Sequence, residues 1–229
     1  MFQMQLIRKF EIQSSKKLIE FLNTQHVGRI ATIDAEGYPQ VIPMNFVYIR
    51  ANTTSMRSNY ITKSDAVYMH SHPIGEKLDN IRRNSQVGFE VDRHICFLPS
   101  YYFHSSDASQ ADTLYISVVI KGNALLVEDN IEKANALNAL MEKYQKEGRY
   151  DRLEPNMRSV QEVSVIKIVP REMHGKYKIG QHWSPPYRLR IAGNIIKREG
   201  KENAIEILNI MGIEILSDGN LNLKEEPIM

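Results

Sequence analysis

What most constrains this chain is the order of its β-rich runs: about six of them, interrupted by three or four helical stretches without regular alternation. Repeating βα units would build a parallel sheet, and this order does not supply them. A closed or nearly closed antiparallel barrel with peripheral helices fits instead.

The runs are readable one by one. A helix is expected over Ser15–Thr24, with Ser14 or Ser15 as cap and Leu18, Ile19 and Leu22 on one face. Val27–Ile33 and Tyr38–Ile49 flank Asp34-Ala35-Glu36-Gly37 and read as a hairpin. Within the second run, Val41 to Tyr48 is apolar on both faces and predicts a central strand, although Pro43 cannot donate to a ladder. A polar loop follows over Ala51–Asp65, then a strand over Ala66–His70 and a helix with Ile74, Leu78 and Ile81 aligned. Gln86–Asp92 alternates as a strand, Arg93–Ala111 reads as loop, and Thr113–Val127 as a long strand bending at Gly122. Asp129 and Glu132 have capping-box spacing ahead of a helix with Ile131, Ala134, Leu137, Met141 and Tyr144 in a stripe. A strand over Glu162–Val169 continues after a kink at Gly175–Ile179. Ser184-Pro185 then opens a helix, a second helix covers about Asn203–Met211, and the end frays from Ser217.

Composition excludes several classes. A net charge of +2 over 229 residues lacks the basic excess of a general nucleic-acid binder, so no nucleic-acid partner is expected. One cysteine, Cys96, allows no internal disulfide, and no Cys/His spacing suits structural zinc; no metal site is expected. No apolar run reaches the roughly 20 residues of a membrane span, and Met1–Phe10 lacks a secretory apolar stretch, so a cytoplasmic protein without a membrane partner is expected.

Chemistry concentrates in Tyr68-Met69-His70-Ser71-His72-Pro73-Ile74-Gly75-Glu76-Lys77. A strand gives way to a helix there. Free N–H groups at the helix start, the Lys77 ammonium and the Ser71 hydroxyl together suit a terminal phosphate. An ordinary turn with a solvated lysine would look the same. His70 and His72, two apart on a strand end, point to opposite faces and do not readily share a metal, although one alone could serve a haem. Asn45 reads as a buried polar group whose partner is either a neighbouring loop or a polar ligand edge, and Ser117 carries the same two readings more weakly. Lys176, Lys178, Gln181, His182 and Trp183 crowd the end of the last strand. They suit either a solvated edge or contact with a planar anionic cofactor.

Several segments together resemble a known family. Val27-Gly28-Arg29-Ile30-Ala31-Thr32 through Pro39–Tyr48, the Tyr68–Lys77 segment with Leu78–Asn84 and Val87–Val91, and Tyr115–Ala124 with Glu132, Lys133 and Leu137 resemble pyridoxamine-5′-phosphate-oxidase-like FMN-binding split barrels, with the nitroimidazole-resistance branch nearest. Gly175-Lys176-Tyr177-Lys178-Ile179-Gly180-Gln181 looks like the Gly-Lys-x-Lys-x-x-Gln element of PaiB-type FMN-binding regulators.

The resemblance implies a mainly β (α+β) fold, a six-stranded antiparallel split β-barrel with peripheral helices. Its domain would cover residues 1–180, and residues 181–229 would form a helical extension. It implies a homodimer with FMN across the interface. Ser71 and Lys77 would hold the phosphate, Met44, Asn45 and Phe46 would border the ring system, and Ser117, Lys178 and Gln181 would add contacts. His70 falls at the branch's pocket histidine and is the candidate catalytic residue. The oxidases' arginine near the start of the flavin strand is not evident, since Pro43 lies there, and Gly75-Glu76-Lys77 replaces their serine-arginine-lysine run, so pyridoxamine phosphate is not the expected substrate. The expected function is a flavin-dependent oxidoreductase acting on a small molecule such as a nitroaromatic. The alternatives are a flavin sensor without turnover and, further off, a haem protein.

Overall fold

The computed structural model describes residues 7–51 and 64–224; the expected loop over Ala51–Asp65 lies almost wholly outside them. In chain order the elements are α1 (Ser15–Thr24), β1 (Val27–Ile33), β2 (Pro39–Asn45), β3 (Val47–Ile49), β4 (Ala66–Ser71), α2 (Glu76–Arg83), β5 (Gln86–Leu98), β6 (Asp112–Leu126), α3 (Asn130–Tyr144), α4 (Arg158–Glu162), β7 (Ser164–Lys178), α5 (Pro185–Glu199), α6 (Lys201–Ile210), β8 (Ile213–Ile215) and β9 (Leu221–Leu223).

One sheet has the order β2-β1-β5-β6-β7-β4-β3, and β8 pairs with β9 in a second. The sheet is mainly antiparallel and fits the split-barrel class, with seven strands among the described residues rather than the expected six. The order ends on β2 at one side and β3 at the other. The expected central strand Val41–Tyr48 is therefore two strands, broken at Phe46 and parted to the two ends of the order. Pro43 sits in an end strand opposite Arg29, where a missing N–H is tolerated.

The chain forms two compact units: residues 18–91 with 118–174, and residues 1–17 with 92–117 and 175–229. In the first, α3 lays Ala134, Leu137 and Leu140 against Val47, Tyr68 and Val165 of the sheet. Each such buried leucine contributes about 1.5–3 kcal/mol. Asp129 caps α3 by accepting the Ile131 N–H at 2.9 Å. The capping-box partner Glu132 instead accepts the Tyr68 hydroxyl and the Lys167 ammonium, each at 2.7 Å. Gly28 answers to a close approach, because a Cβ there would stand 2.1 Å from the Phe89 ring.

In the second unit, Cys96, Leu98 and Leu114 of the strands pack with Ile191 and Ile195 of α5 and Leu208 of α6. Two expectations fail here. The loop expected from Arg93 is strand as far as Leu98, because Cys96 and Leu98 have this core to enter. The end expected to fray after Ser217 closes a hairpin, with Ile213 opposite Leu223 and the Leu216 N–H donating to Asn220.

Candidate functional site

In the first unit, β4 buries Ala66 to Met69, exposes His70 and leaves Ser71 half-buried. His70 lies opposite Val165, and Ser71 opposite Ser164, in β7. The chain then turns through His72, whose Nδ1 accepts the Ile74 N–H at 3.2 Å. That bond turns the His72 ring onto its own loop and separates its role from that of His70. Ile74 lies before α2 with 78% of its surface exposed, so it is not part of the apolar stripe expected with Leu78 and Ile81.

The first turn of α2 begins with the Leu78 N–H donating to the Gly75 carbonyl at 2.9 Å. The Lys77 ammonium folds back over Gly75, 4.0 Å from where a Cβ on that glycine would stand. Lys77 makes no ion pair among the described residues. The neighbouring Glu76 carboxylate instead accepts the Gln40 amide of β2. Ser71 Oγ donates to the His72 carbonyl at 3.0 Å and keeps its lone pairs as acceptors. The Lys77 ammonium and the amide end of α2 thus share one short span, donors that suit a phosphate monoester, and the Ser71 hydroxyl joins them by turning its proton away from the His72 carbonyl.

β2 is tied to the same region. Gln40 reaches Glu76, while the buried Asn80 of α2 donates to Thr32 of β1 at 3.1 Å. At its far end Met44 is half-buried and Asn45 is exposed, so Asn45 is not the buried polar group that its apolar neighbours suggest. Its strand is a terminal one with alternate residues open. Phe46 is fully buried. Its N–H donates to the Tyr144 hydroxyl at 2.9 Å, and its carbonyl accepts Lys143 at 3.0 Å. Both Phe46 peptide groups are occupied within the protein, which leaves Met44 and Asn45 as the residues able to face a ligand. Nothing in the sequence marks Lys143 or Tyr144 for this part.

The remaining candidates belong to the second unit. Ser117 is half-buried on the face of β6 opposite Ile116 and Val118. Lys178, at the end of β7, pairs with Asp112 at the start of β6. The Gln181 amide is fully engaged: it accepts the Ile179 N–H at 3.1 Å and donates to the carbonyls of Tyr177 and Lys9 at 3.1 and 3.0 Å. It acts as a clip between the N-terminal segment and the end of β7. His182 is held below the usual histidine range, first by burial and then by the Lys9 charge. Among the described residues no group of three or more His, Cys, Asp or Glu is placed to hold a metal ion. No described helix is long and apolar enough to cross a membrane.

A candidate 5-nitroimidazole antibiotic resistance protein from Bacteroides thetaiotaomicron is 24% identical, with a TM-score of 0.56 over 72% of this chain and 85% of that one. The flavocytochrome Anf3 from Azotobacter vinelandii is 14% identical, with a TM-score of 0.58 over 76% and 72%. An FAD and heme binding protein from Mycobacterium smegmatis is 13% identical, with a TM-score of 0.56 over 73% of each. These likenesses establish the fold. No curated protein matches the chain. The family model described as pyridoxamine 5'-phosphate oxidase matches residues 14–177, well over half of the sequence, and the chain belongs to that family.

Proposed function

We propose that the chain binds FMN and is an FMN-dependent oxidoreductase for a small molecule, with nitroaromatics among the candidate substrates. The observation that carries this is the placement of the Lys77 ammonium over Gly75 at the start of α2, six residues after Ser71 in the same segment. It lies inside the segment shared with the family. FMN ends in a phosphate monoester, which takes up an ammonium, a hydroxyl and helix amides together. Two solved structures of the same fold are described as flavin proteins.

A bound flavin supplies the hydride and electron transfer. In this reading Lys77 and Ser71 hold the phosphate, and Met44 and Asn45 border the ring system. His70, exposed at the end of β4, exchanges a proton with the substrate through its imidazole. Ser117, Lys178 and Gln181 lie in the second unit and have no flavin contact in this reading; Gln181 fixes the chain after β7. The working form is a cytoplasmic homodimer with the flavin at the subunit interface. Val27, Ile33 and Val41 of the β1–β2 hairpin are exposed apolar residues suited to meeting a second copy.

Fluorescence titration with FMN tests the reading. Lys77→Ala weakens binding about tenfold or more, the worth of a charge-assisted contact, while Lys121→Ala, at an exposed lysine of β6, leaves it unchanged. Equal loss in both variants, or none in either, contradicts the site. Oxidation of a reduced nicotinamide by the flavin-loaded protein then separates enzyme from sensor.

A further inference from the structure

The second unit holds a cleft of about 360 Å³, lined by Phe103, Ser109, Gln110, Ala111, Asp112, Lys178, Trp183 and Tyr187. The size lies in the roughly 300–1,000 Å³ range of small-molecule sites. Three of its walls are aromatic. Trp183 and Tyr187 meet edge to face with centroids 5.7 Å apart, and Phe103 stacks on Tyr187 at 6.4 Å. Gly180 makes this packing possible: its φ of 78° and the Trp183 ring, 2.5 Å from a Cβ placed there, exclude any side chain.

The polar edge of the cleft is an ion pair with capacity to spare. Asp112 Oδ1 accepts the Lys178 ammonium and the Thr113 N–H, the latter at 2.7 Å. Asp112 Oδ2 has no partner among the described residues, and Lys178 commits one of its three N–H donors. A donor and an acceptor therefore stand side by side. Because the two charges cancel, the edge gives no net attraction to an anion. It matches a neutral group that presents a carbonyl and an N–H together.

From this geometry we propose that the cleft is a binding site for a neutral planar heterocycle with an amide edge, the chemistry shared by nicotinamide and the uracil ring. Its carbonyl accepts from Lys178, its N–H donates to Asp112, and its ring edge reaches Trp183, while the Tyr187 ring is already covered by Phe103 and the Arg190 guanidinium. Lys178, Trp183 and Tyr187 follow residue 177, where the family match ends, whereas Phe103 and Asp112 lie within it. The cleft is independent of the flavin reading.

Trp183 is the single tryptophan of the chain, so its fluorescence reports the cleft directly. The full-length protein is titrated with nicotinamide, uridine and benzoate. Nicotinamide or uridine quenches saturably, and the tighter of the two identifies the ring. Benzoate, which has no N–H donor, binds about tenfold more weakly or not at all. Asp112→Asn, close in shape and checked for native circular dichroism, weakens the tighter ligand about tenfold, as does Lys178→Met. Lys77→Ala leaves the titration unchanged, so the cleft and the flavin site stand or fall separately. Only linear collisional quenching, equal binding of benzoate, insensitivity to both substitutions, or displacement of the ligand by FMN overturns the proposal.

Discussion

The Lys143 ammonium lies 3.0 Å from the Phe46 carbonyl oxygen and 3.8 Å from the centre of the Phe46 ring, at the residue where the chain leaves β2 for β3. It also donates to the Leu22 carbonyl, in the last turn of α1, at 3.1 Å. One half-buried lysine thus joins α1, α3 and the break between two strands that end opposite sides of the sheet.

Burial pushes the Lys143 pKa down to about 8 from 10.5. Between these values the unfolded chain binds more protons than the folded one, so stability rises as pH rises from about 8 towards 10. Below the folded value both states carry the charge and this slope vanishes. Urea unfolding at a series of pH values checks it. Lys143→Met removes the rise, and the same slope in wild type and variant would refute the assignment.

Gly28→Ala forces a methyl into the Phe89 ring, which is buried against Phe46. The expected cost is about 1–3 kcal/mol. Gly88→Ala on the neighbouring strand β5 meets only the Ala31 Cβ at an ordinary 3.6 Å and costs less than about 1 kcal/mol. Denaturant midpoints of the two variants give the comparison, and equal effects would contradict the steric account.

Asn138, buried in α3, donates to the Leu153 carbonyl at 2.8 Å and accepts the Leu153 N–H at 2.9 Å. Asn138→Leu strands both backbone groups, with an expected loss of about 2–3 kcal/mol in unfolding free energy. A loss near zero would mean that the segment around Leu153 finds other partners.

Local pattern made α1 and β1 legible to their end residues, because helical and alternating periods show in the sequence itself. The break at Phe46 was not legible. It is held by Lys143 and Tyr144, which stand 97 and 98 residues further along the chain. The β8–β9 hairpin did carry a signal, with Ile-Glu-Ile and Leu-Asn-Leu around Asp218-Gly219, although its short strands resemble a frayed tail. The nearness of Ser71, Gly75 and Lys77 was legible because they are neighbours in sequence. Asp112 as the partner of Lys178 was not, since 66 residues separate them.

The central claim is most directly tested by the visible spectrum of the purified chain after incubation with FMN and removal of free flavin by gel filtration. Bound flavin gives bands near roughly 370 and 450 nm, retained by the wild-type protein and largely lost from Lys77→Ala. A wild-type protein that emerges colourless would contradict the account.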